Sequence, residues 1–124
     1  MRQFIKLNSE DFTEVDALPI NRAFLFGDGI FETMCFINGQ FRFQKDHQTR
    51  ANNGLQKLKI QAQLDLEVIA KMLRNTFGVQ EKLRVRWNIY RSGIGKYSPI
   101  NNSACEHLIV SDFNPTPKTK SKAY

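Results

Sequence analysis

Residues 21–50 read NRAFLFGDGIFETMCFINGQFRFQKDHQTR and predict a turn, a β-hairpin and the start of a helix. A glycine on each side of Asp28 is typical of a sharp, partly left-handed turn. Residues 30–37 are apolar and rich in β-forming types, so they predict a strand. Asn38 and Gly39 follow, and this dipeptide strongly favours a two-residue hairpin turn because both residues tolerate positive φ. A long hairpin is therefore expected at the centre of the fold.

The returning strand and the next helix are predicted from the residues after the turn. Phe41 and Phe43 alternate with polar residues, which predicts that both lie on the returning strand and face the same way. Asp46 is a suitable N-cap, so a helix is expected to begin at His47. His47 and Arg50 then lie three residues apart on its first turn.

The predicted elements give the fold class. They are a strand at residues 4–7, the hairpin, helices at 47–59 and 65–77, and strands at 82–90 and 106–113. The helix at 65–77 has the clearest apolar stripe, and Gly78 follows it as a C-cap. In the strand at 82–90, Trp87 and its alternate neighbours face one way, whereas Arg84 and Arg86 face the other, on a solvated or interface side. The expected class is α+β: a small two-layer domain with a mostly antiparallel sheet and two helices packed on it.

The composition is that of one globular domain. The chain has 124 residues, 41% of them hydrophobic and 24% charged, which allows one hydrophobic core and argues against disorder. No apolar run approaches the roughly 20 residues of a transmembrane helix. The start of the chain lacks the apolar stretch of a signal peptide. We therefore expect no membrane partner.

Charge and cysteine content narrow the partners and the compartment. The net charge of +6 is compatible with nucleic-acid binding, but the basic residues are scattered and three crowd the end, at Lys118, Lys120 and Lys122. No nucleic-acid partner is expected. Cys35 and Cys105 are expected to be buried free thiols in a reducing cytoplasm. His47 and His107 have no cysteine or carboxylate at metal-ligand spacing, so no metal site is expected.

Five motifs together resemble the N-terminal domain of the fold-type IV pyridoxal-phosphate enzymes. This family includes branched-chain aminotransferases, D-amino-acid aminotransferases and 4-amino-4-deoxychorismate lyases. The matching segments, which follow the family's order and spacing, are residues 21–24 (NRAF), 26–33 (FGDGIFET), 38–39 (NG), 47–50 (HQTR) and 91–97 (RSGIGKY). The resemblance implies the same small domain, pyridoxal 5′-phosphate (PLP) as cofactor, and a homodimer.

The resemblance implies that Arg50, in the position of the family's His-x-x-Arg arginine, binds the cofactor phosphate. A guanidinium near the free N–H groups of a helix start suits a phosphate dianion. Spacing alone favours a surface arginine on an amphipathic helix.

The resemblance also implies two groups of substrate-binding residues. Phe31 and Glu32 belong to the strand that lines the family's pocket, although several members have tyrosine at the position of Phe31. From the residues alone, Phe31 is also compatible with a core aromatic, and Glu32 with a salt bridge to an arginine. Arg91, Lys96 and Tyr97 belong to a loop that meets the substrate carboxylate in some relatives, and an empty turn is the alternative.

The residues that perform the chemistry are expected outside this chain. In the family, the Schiff-base lysine lies in a second domain that follows a linker. We therefore expect residues 1–114 to be the small N-terminal domain and residues 115–124 to be an interdomain linker or a disordered end. The catalytic C-terminal domain is expected to be absent from this chain, which then contains no catalytic residue and is inactive alone.

The resemblance best suits aminodeoxychorismate lyase activity, the elimination of pyruvate to give 4-aminobenzoate in folate biosynthesis. The substrate would be a small molecule that bears a carboxylate. A D-amino-acid or branched-chain aminotransferase is the alternative within the family. A non-catalytic domain that dimerises or binds an anion is the alternative from another class.

Overall fold

The computed structural model describes residues 1–7, 11–15, 29–91 and 104–113. These residues form six strands and two helices. The strands are β1 (Arg2–Leu7), β2 (Thr13–Val15), β3 (Gly29–Ile37), β4 (Gln40–Phe41), β5 (Leu83–Arg91) and β6 (Ala104–Asp112), and the helices are α1 (Gln44–Leu58) and α2 (Leu66–Phe77). The predictions for the turn at residues 27–28, the loop at 92–97 and the segment 115–124 lie outside the described residues.

The strands form a single sheet in the order β2-β1-β6-β5-β3-β4, in which all neighbours are antiparallel. The long strand β5 lies between β3 and β6 and pairs with both along most of its length. Because β5 has a paired strand on each side, its side chains are expected at the centre of the core. The predicted α+β class with a mostly antiparallel sheet is confirmed.

Both helices pack on the same face of the sheet, which we call the helix face. Helix α1 contacts Ile30 and Glu32 of β3. Helix α2 places Phe77 edge-on to Phe4 of β1, with ring centroids 6.3 Å apart. Ile30 and Glu32 pair directly with the row of β5 residues that contains Trp87, and Phe4 is connected to this row through β6. These three residues therefore lie on the same face of the sheet. The domain therefore has two layers, as predicted.

The core lies between the sheet and the helices. The inward row of β5 is essentially inaccessible to solvent and comprises Leu83, Val85, Trp87 and Ile89. This row confirms the alternation expected for the strand at residues 82–90. In the same layer, Trp87 Nε1 donates to Oε1 of the buried Glu106, and Lys6 Nζ lies 3.5 Å from Oε2. Burial raises the pKa of Glu106.

The hairpin turn forms as predicted, but the chain after it does not. Asn38 and Gly39 have φ values of 57° and 77°, and Phe41 is buried. The returning strand β4 contains only two residues, and Phe43 adopts a left-handed conformation and is 66% exposed. The predictions that Phe43 continues the strand and that Asp46 is the N-cap are therefore wrong. Phe43 turns the chain directly into α1. Asp46 lies inside the first turn, where its negative charge interacts favourably with the helix dipole.

The second helix has a cap at each end, and the predicted C-cap Gly78 is confirmed. Asp65 Oδ1 accepts a hydrogen bond from the backbone N–H of Glu67 at 3.0 Å. Gly78 has a φ of 90°, and its N–H donates to the carbonyl of Arg74 at 2.9 Å. Neither α1 nor α2, the helices of the described ranges, is long and apolar enough to cross a membrane. Cys35 and Cys105 are both free thiols; Cys105 is buried and Cys35 partly so.

Gly29 is required for space. It begins β3 opposite Tyr90 of β5. A Cβ atom at Gly29 would lie 2.4 Å from the carbonyl oxygen of Ile89 and 2.8 Å from Cβ of Tyr90. Its φ is not among the positive values of the chain, so the glycine permits a close approach of two strands rather than a left-handed turn.

Candidate functional site

A groove with a volume of about 500 Å³ lies between the start of β3 and one side of α1. Residues 29–32 of β3 line it, together with Arg50, Asn53, Gly54 and Lys57 of α1. The four helix residues follow an i, i+3, i+4, i+7 spacing, which places them on one side of the helix. A Cβ at Gly54 would lie 2.9 Å from Cδ1 of Ile30, so the glycine lets α1 approach β3 closely.

Glu32 joins two basic side chains of α1 at the groove. Its Oε1 accepts from Nη2 of Arg50 at 3.0 Å, and its Oε2 accepts from Nε of Arg50 at 3.2 Å. His47 Nδ1 lies 2.6 Å from Oε1, a distance that requires a proton between the two atoms, so Nδ1–H donates to the carboxylate. Nη2 of Arg50 also lies 3.0 Å from this nitrogen, but both are then donors and Glu32 is the acceptor that they share.

The ion pair decides the charge of Glu32. Burial acts to raise the pKa of Glu32, whose side chain is only 13% exposed, but the hydrogen bonds from Arg50 and His47 and their charges outweigh it. The pKa of Glu32 therefore lies below its ordinary value, and the hydrogen bond with Glu32 raises the pKa of Arg50. Glu32 is a carboxylate at neutral pH that orients Arg50, which is the salt-bridge alternative predicted from the sequence.

Arg50 lies in the second turn of α1, because the helix begins at Gln44. The sequence placed it in the first turn, next to free backbone N–H groups, and that expectation is wrong. The Arg50 side chain is 58% exposed, and its guanidinium turns the Nε and Nη2 edge to Glu32. Within the described part of the chain, Nη1 has no hydrogen-bond partner. Arg50 therefore presents an oriented donor to the groove without help from the helix terminus.

Asn53 and Lys57 are groove residues that sequence reasoning did not identify. Asn53 follows Arg50 by three positions and Lys57 by seven, which is the spacing of one helix face. That signal was present in the sequence, and the groove makes it meaningful. Lys57 adds a second cation to the same wall.

Phe31 lies on the sheet face opposite the helices and is 56% exposed, so the alternative of a core aromatic does not hold. The guanidinium carbon of Arg86 lies 4.0 Å from the centre of its ring, a cation–π contact. Arg86 is half-buried, whereas Arg84 on the same strand is exposed. The expectation of a solvated or interface face therefore fits Arg84 better than Arg86.

Of the three residues predicted to meet a substrate carboxylate, the structure describes only Arg91. Its Nη2 donates to the carbonyl oxygen of Leu58 at 3.0 Å, at the end of α1. Lys96 and Tyr97 lie outside the described residues. Across the described ranges, no three histidine, cysteine or acidic side chains are grouped so that they could hold a metal ion.

Replacing Glu32 with glutamine should change how the stability of the domain depends on acid pH. Because the pKa of Glu32 is lower in the folded state, its contribution is complete above the unfolded value of about 4.5 and is lost as the pH falls through the folded pKa. We expect the wild-type Tm to fall more steeply than that of Glu32→Gln between about pH 5 and pH 2.5 in thermal unfolding. Because the pKa of Glu106 is raised, Glu106 changes the pH dependence of stability in the opposite direction. This effect is the same in both proteins and cancels in the comparison. Parallel curves would contradict the ion pair.

Comparison with known proteins gives a family. The family model described as amino-transferase class IV matches residues 29–124. Comparison with curated protein sequences finds no match.

Solved structures of this family have the same fold. A branched-chain aminotransferase from Thermoproteus uzoniensis superimposes with a TM-score of 0.64 and 17% identity, covering 92% of this chain and 42% of that one. The fold IV transaminase CpuTA1 from Curtobacterium pusillum gives 0.62 and 17%, covering 91% and 43%. The 4-amino-4-deoxychorismate lyase from Pseudomonas aeruginosa gives 0.60 and 24%, covering 83% and 39%.

This chain thus spans about two fifths of the length of these three structures, at 39 to 43%. At such identities the likeness shows the fold alone, whereas the family model covers most of the chain. The chain belongs to the class IV aminotransferase family.

Proposed function

We propose that this chain is the small N-terminal domain of a PLP-dependent enzyme and that Arg50 binds the cofactor phosphate. The observation that carries the proposal is the oriented, exposed guanidinium in the groove between β3 and α1. A guanidinium is the side chain best suited to a phosphate dianion, and Glu32 fixes it without burying it.

The groove residues fit the group. Lys57 adds positive charge, Asn53 adds an amide donor, and Gly54 lets α1 lie close to Ile30 of β3. A volume of about 500 Å³ lies within the usual range for small-molecule sites. When bound, PLP supplies an electron-withdrawing ring that activates the bonds of an amino substrate.

The other site residues contact the substrate or hold Arg50 in place. Phe31 contacts the substrate through its exposed ring, Glu32 holds Arg50, and Arg91 with Lys96 and Tyr97 binds a carboxylate. Residues 1–114 form the domain, residues 115–124 lead to a second domain, and that domain supplies the lysine that carries the cofactor. The free state of both cysteines supports a cytoplasmic location. We also propose a homodimer.

For the activity, we propose lyase chemistry on 4-amino-4-deoxychorismate, with transfer of the amino group of a D-amino acid or a branched-chain amino acid to a keto acid as the alternative. The motif segments 26–33 and 91–97 support the lyase. The alternative is supported by the transaminases among the similar structures.

Product analysis of the enzyme that contains this domain separates the two activities. With 4-amino-4-deoxychorismate and PLP, we expect 4-aminobenzoate and pyruvate in equal amounts and no requirement for a keto acid. Conversion of a keto acid to an amino acid, without release of 4-aminobenzoate, would overturn the lyase assignment in favour of the aminotransferase. If neither product forms, the function that remains is that of a non-catalytic domain.

A further inference from the structure

A row of side chains, all polar except Phe31, crosses the sheet on the face opposite the helices. Gln3 of β1, His107 of β6, Asn88 and Arg86 of β5, and Phe31 of β3 belong to four neighbouring strands. Asn88 pairs with Phe31 on one side and with His107 on the other. These side chains therefore meet because of the strand register, although they are far apart in sequence.

Hydrogen bonds connect this row in one direction. Arg86 Nε donates to Oδ1 of Asn88 at 3.0 Å, and because a guanidinium only donates, Oδ1 must be the acceptor. Nδ2 of Asn88 then donates to Nδ1 of His107 at 3.2 Å. The His107 proton is thereby placed on Nε2, which lies 3.0 Å from Oε1 of Gln3. One donor-only residue fixes both the amide orientation and the tautomer of the histidine.

Burial keeps His107 in its neutral form. His107 is 0% exposed and Asn88 is 5% exposed. Burial lowers the pKa of His107, and the positive charge of Arg86 lowers it further. Among the described groups on this face, Tyr90 and Cys105 remain neutral because burial raises the pKa of both. The strand β1 contributes Gln3 and Ile5, which do not ionise.

The row ends on the exposed ring of Phe31. Asn88 holds Nε of Arg86, and the guanidinium covers one face of the ring with its carbon 4.0 Å from the ring centre. Arg84 is a contrast from the same strand and the same face, because it is exposed and its guanidinium carbon lies 5.8 Å from the ring centre of Phe113. A long arginine side chain adopts many rotamers unless its head group is held.

We propose that Asn88 and His107 are positioning residues of the proposed site, which fix Arg86 against Phe31 and so give the substrate-contacting ring a single orientation. The inference rests on the proposed function, in which Phe31 contacts the substrate. Apolar side chains would fill this buried position at lower desolvation cost, but they would not hold the guanidinium.

Protonation of His107 at acid pH should break this row of hydrogen bonds. A proton on Nδ1 of His107 would face the donor Nδ2 of Asn88, so the amide must turn and withdraw its oxygen from Arg86. Since the folded pKa of His107 is lowered, this contribution to stability is present above the unfolded value of about 6.5 and is lost as the pH falls through the folded pKa.

The first test is nitrogen-15 NMR of the 124-residue chain, which contains two histidines. We expect His107 to show the Nε2–H tautomer without titration between pH 8 and about pH 6. The Nε–H of Arg86 should exchange slowly. An Nδ1–H tautomer, or titration of His107 near pH 6.5, would overturn the proposal.

Two substitutions at Asn88 separate positioning from simple packing. Asn88→Leu removes both hydrogen bonds, so Arg86 should lose its slow exchange. Asn88→Asp keeps an acceptor for Arg86 but faces Nδ1 of His107 with a second acceptor, so His107 should become protonated while Arg86 stays in place. If Asn88→Leu does not fold, Asn88→Asp alone still tests the direction of the bonds, because a His107 without a proton on Nδ1 in that variant would contradict it.

Kinetics of the enzyme that contains this domain give the functional readout. We expect Asn88→Leu to raise KM roughly 3- to 10-fold with kcat changed less than about 2-fold. In Asn88→Asp, KM should return most of the way to the wild-type value. Arg84→Leu is the control and should leave KM unchanged. An unaltered KM in Asn88→Leu, or no rescue by Asn88→Asp, would overturn the positioning role. A protein that binds no PLP would refute the proposed function instead, and the tautomer of His107 would still stand.

Discussion

The variant Arg50→Ala of the enzyme that contains this domain should bind PLP about 10- to 100-fold more weakly than the wild type. The reason is that the guanidinium is a donor already oriented by Glu32 and exposed to the groove. Arg50→Lys should retain part of the affinity, since it keeps the charge but loses the planar fork. Titration followed by PLP absorbance measures the dissociation constants.

Arg50→Ala also leaves Glu32 without its main partner, so a control must separate binding from folding. The double variant Arg50→Ala/Glu32→Gln removes the stranded charge, and its affinity for PLP should be as low as that of the single variant. Arg84→Ala removes an exposed arginine outside the groove and should bind PLP as the wild type does. Unchanged affinity in Arg50→Ala, or recovery in the double variant, would contradict the phosphate assignment.

The variant Gly29→Ala should destabilise the domain by about 2–3 kcal/mol, the upper part of the usual range for overpacking. The new Cβ would lie 2.4 Å from the backbone oxygen of Ile89, and this strand cannot move away without weakening its pairing with β3. For a chain of this length, the loss corresponds to a Tm lower by roughly 10 °C. Thermal and urea unfolding measure it.

Gly54→Ala is the matched comparison for Gly29→Ala. Its Cβ would contact only side-chain atoms of Ile30, which can adjust, and alanine adds up to about 1 kcal/mol of helix propensity. We expect a clearly smaller loss of stability than for Gly29→Ala. Equal losses would show that the close approach of Gly29 to β5 does not limit stability.

Local sequence signals predicted the parts of the fold that depend on local geometry. The turn at Asn38 and Gly39, the C-cap Gly78 and the alternation around Trp87 each follow from a short pattern with one physical cause. The start of α1 could not be predicted in this way. It depends on a left-handed Phe43, which is uncommon for a residue other than glycine, and on the backbone bond from Arg42 N to the Cys35 carbonyl.

The candidate site was predictable in its residues more than in its geometry. Glu32 within an apolar strand required a partner, and the alternative of an arginine was the correct one. The cation–π contact between Arg86 and Phe31 and the row through Asn88 and His107 depend on the register of four strands, which no local pattern contains. The same holds for Gly29, whose reason is the neighbouring strand rather than its own φ.

Peptide mapping after borohydride reduction in the presence of PLP identifies the lysine that carries the cofactor, because reduction fixes the cofactor to it. We expect the 124-residue chain alone to take up no stoichiometric label. The enzyme containing this domain should be labelled once, on a lysine beyond Tyr124. A single stoichiometric label on a lysine within residues 1–124 would contradict the assignment of this chain as the domain that holds the phosphate and leaves the lysine to its partner domain.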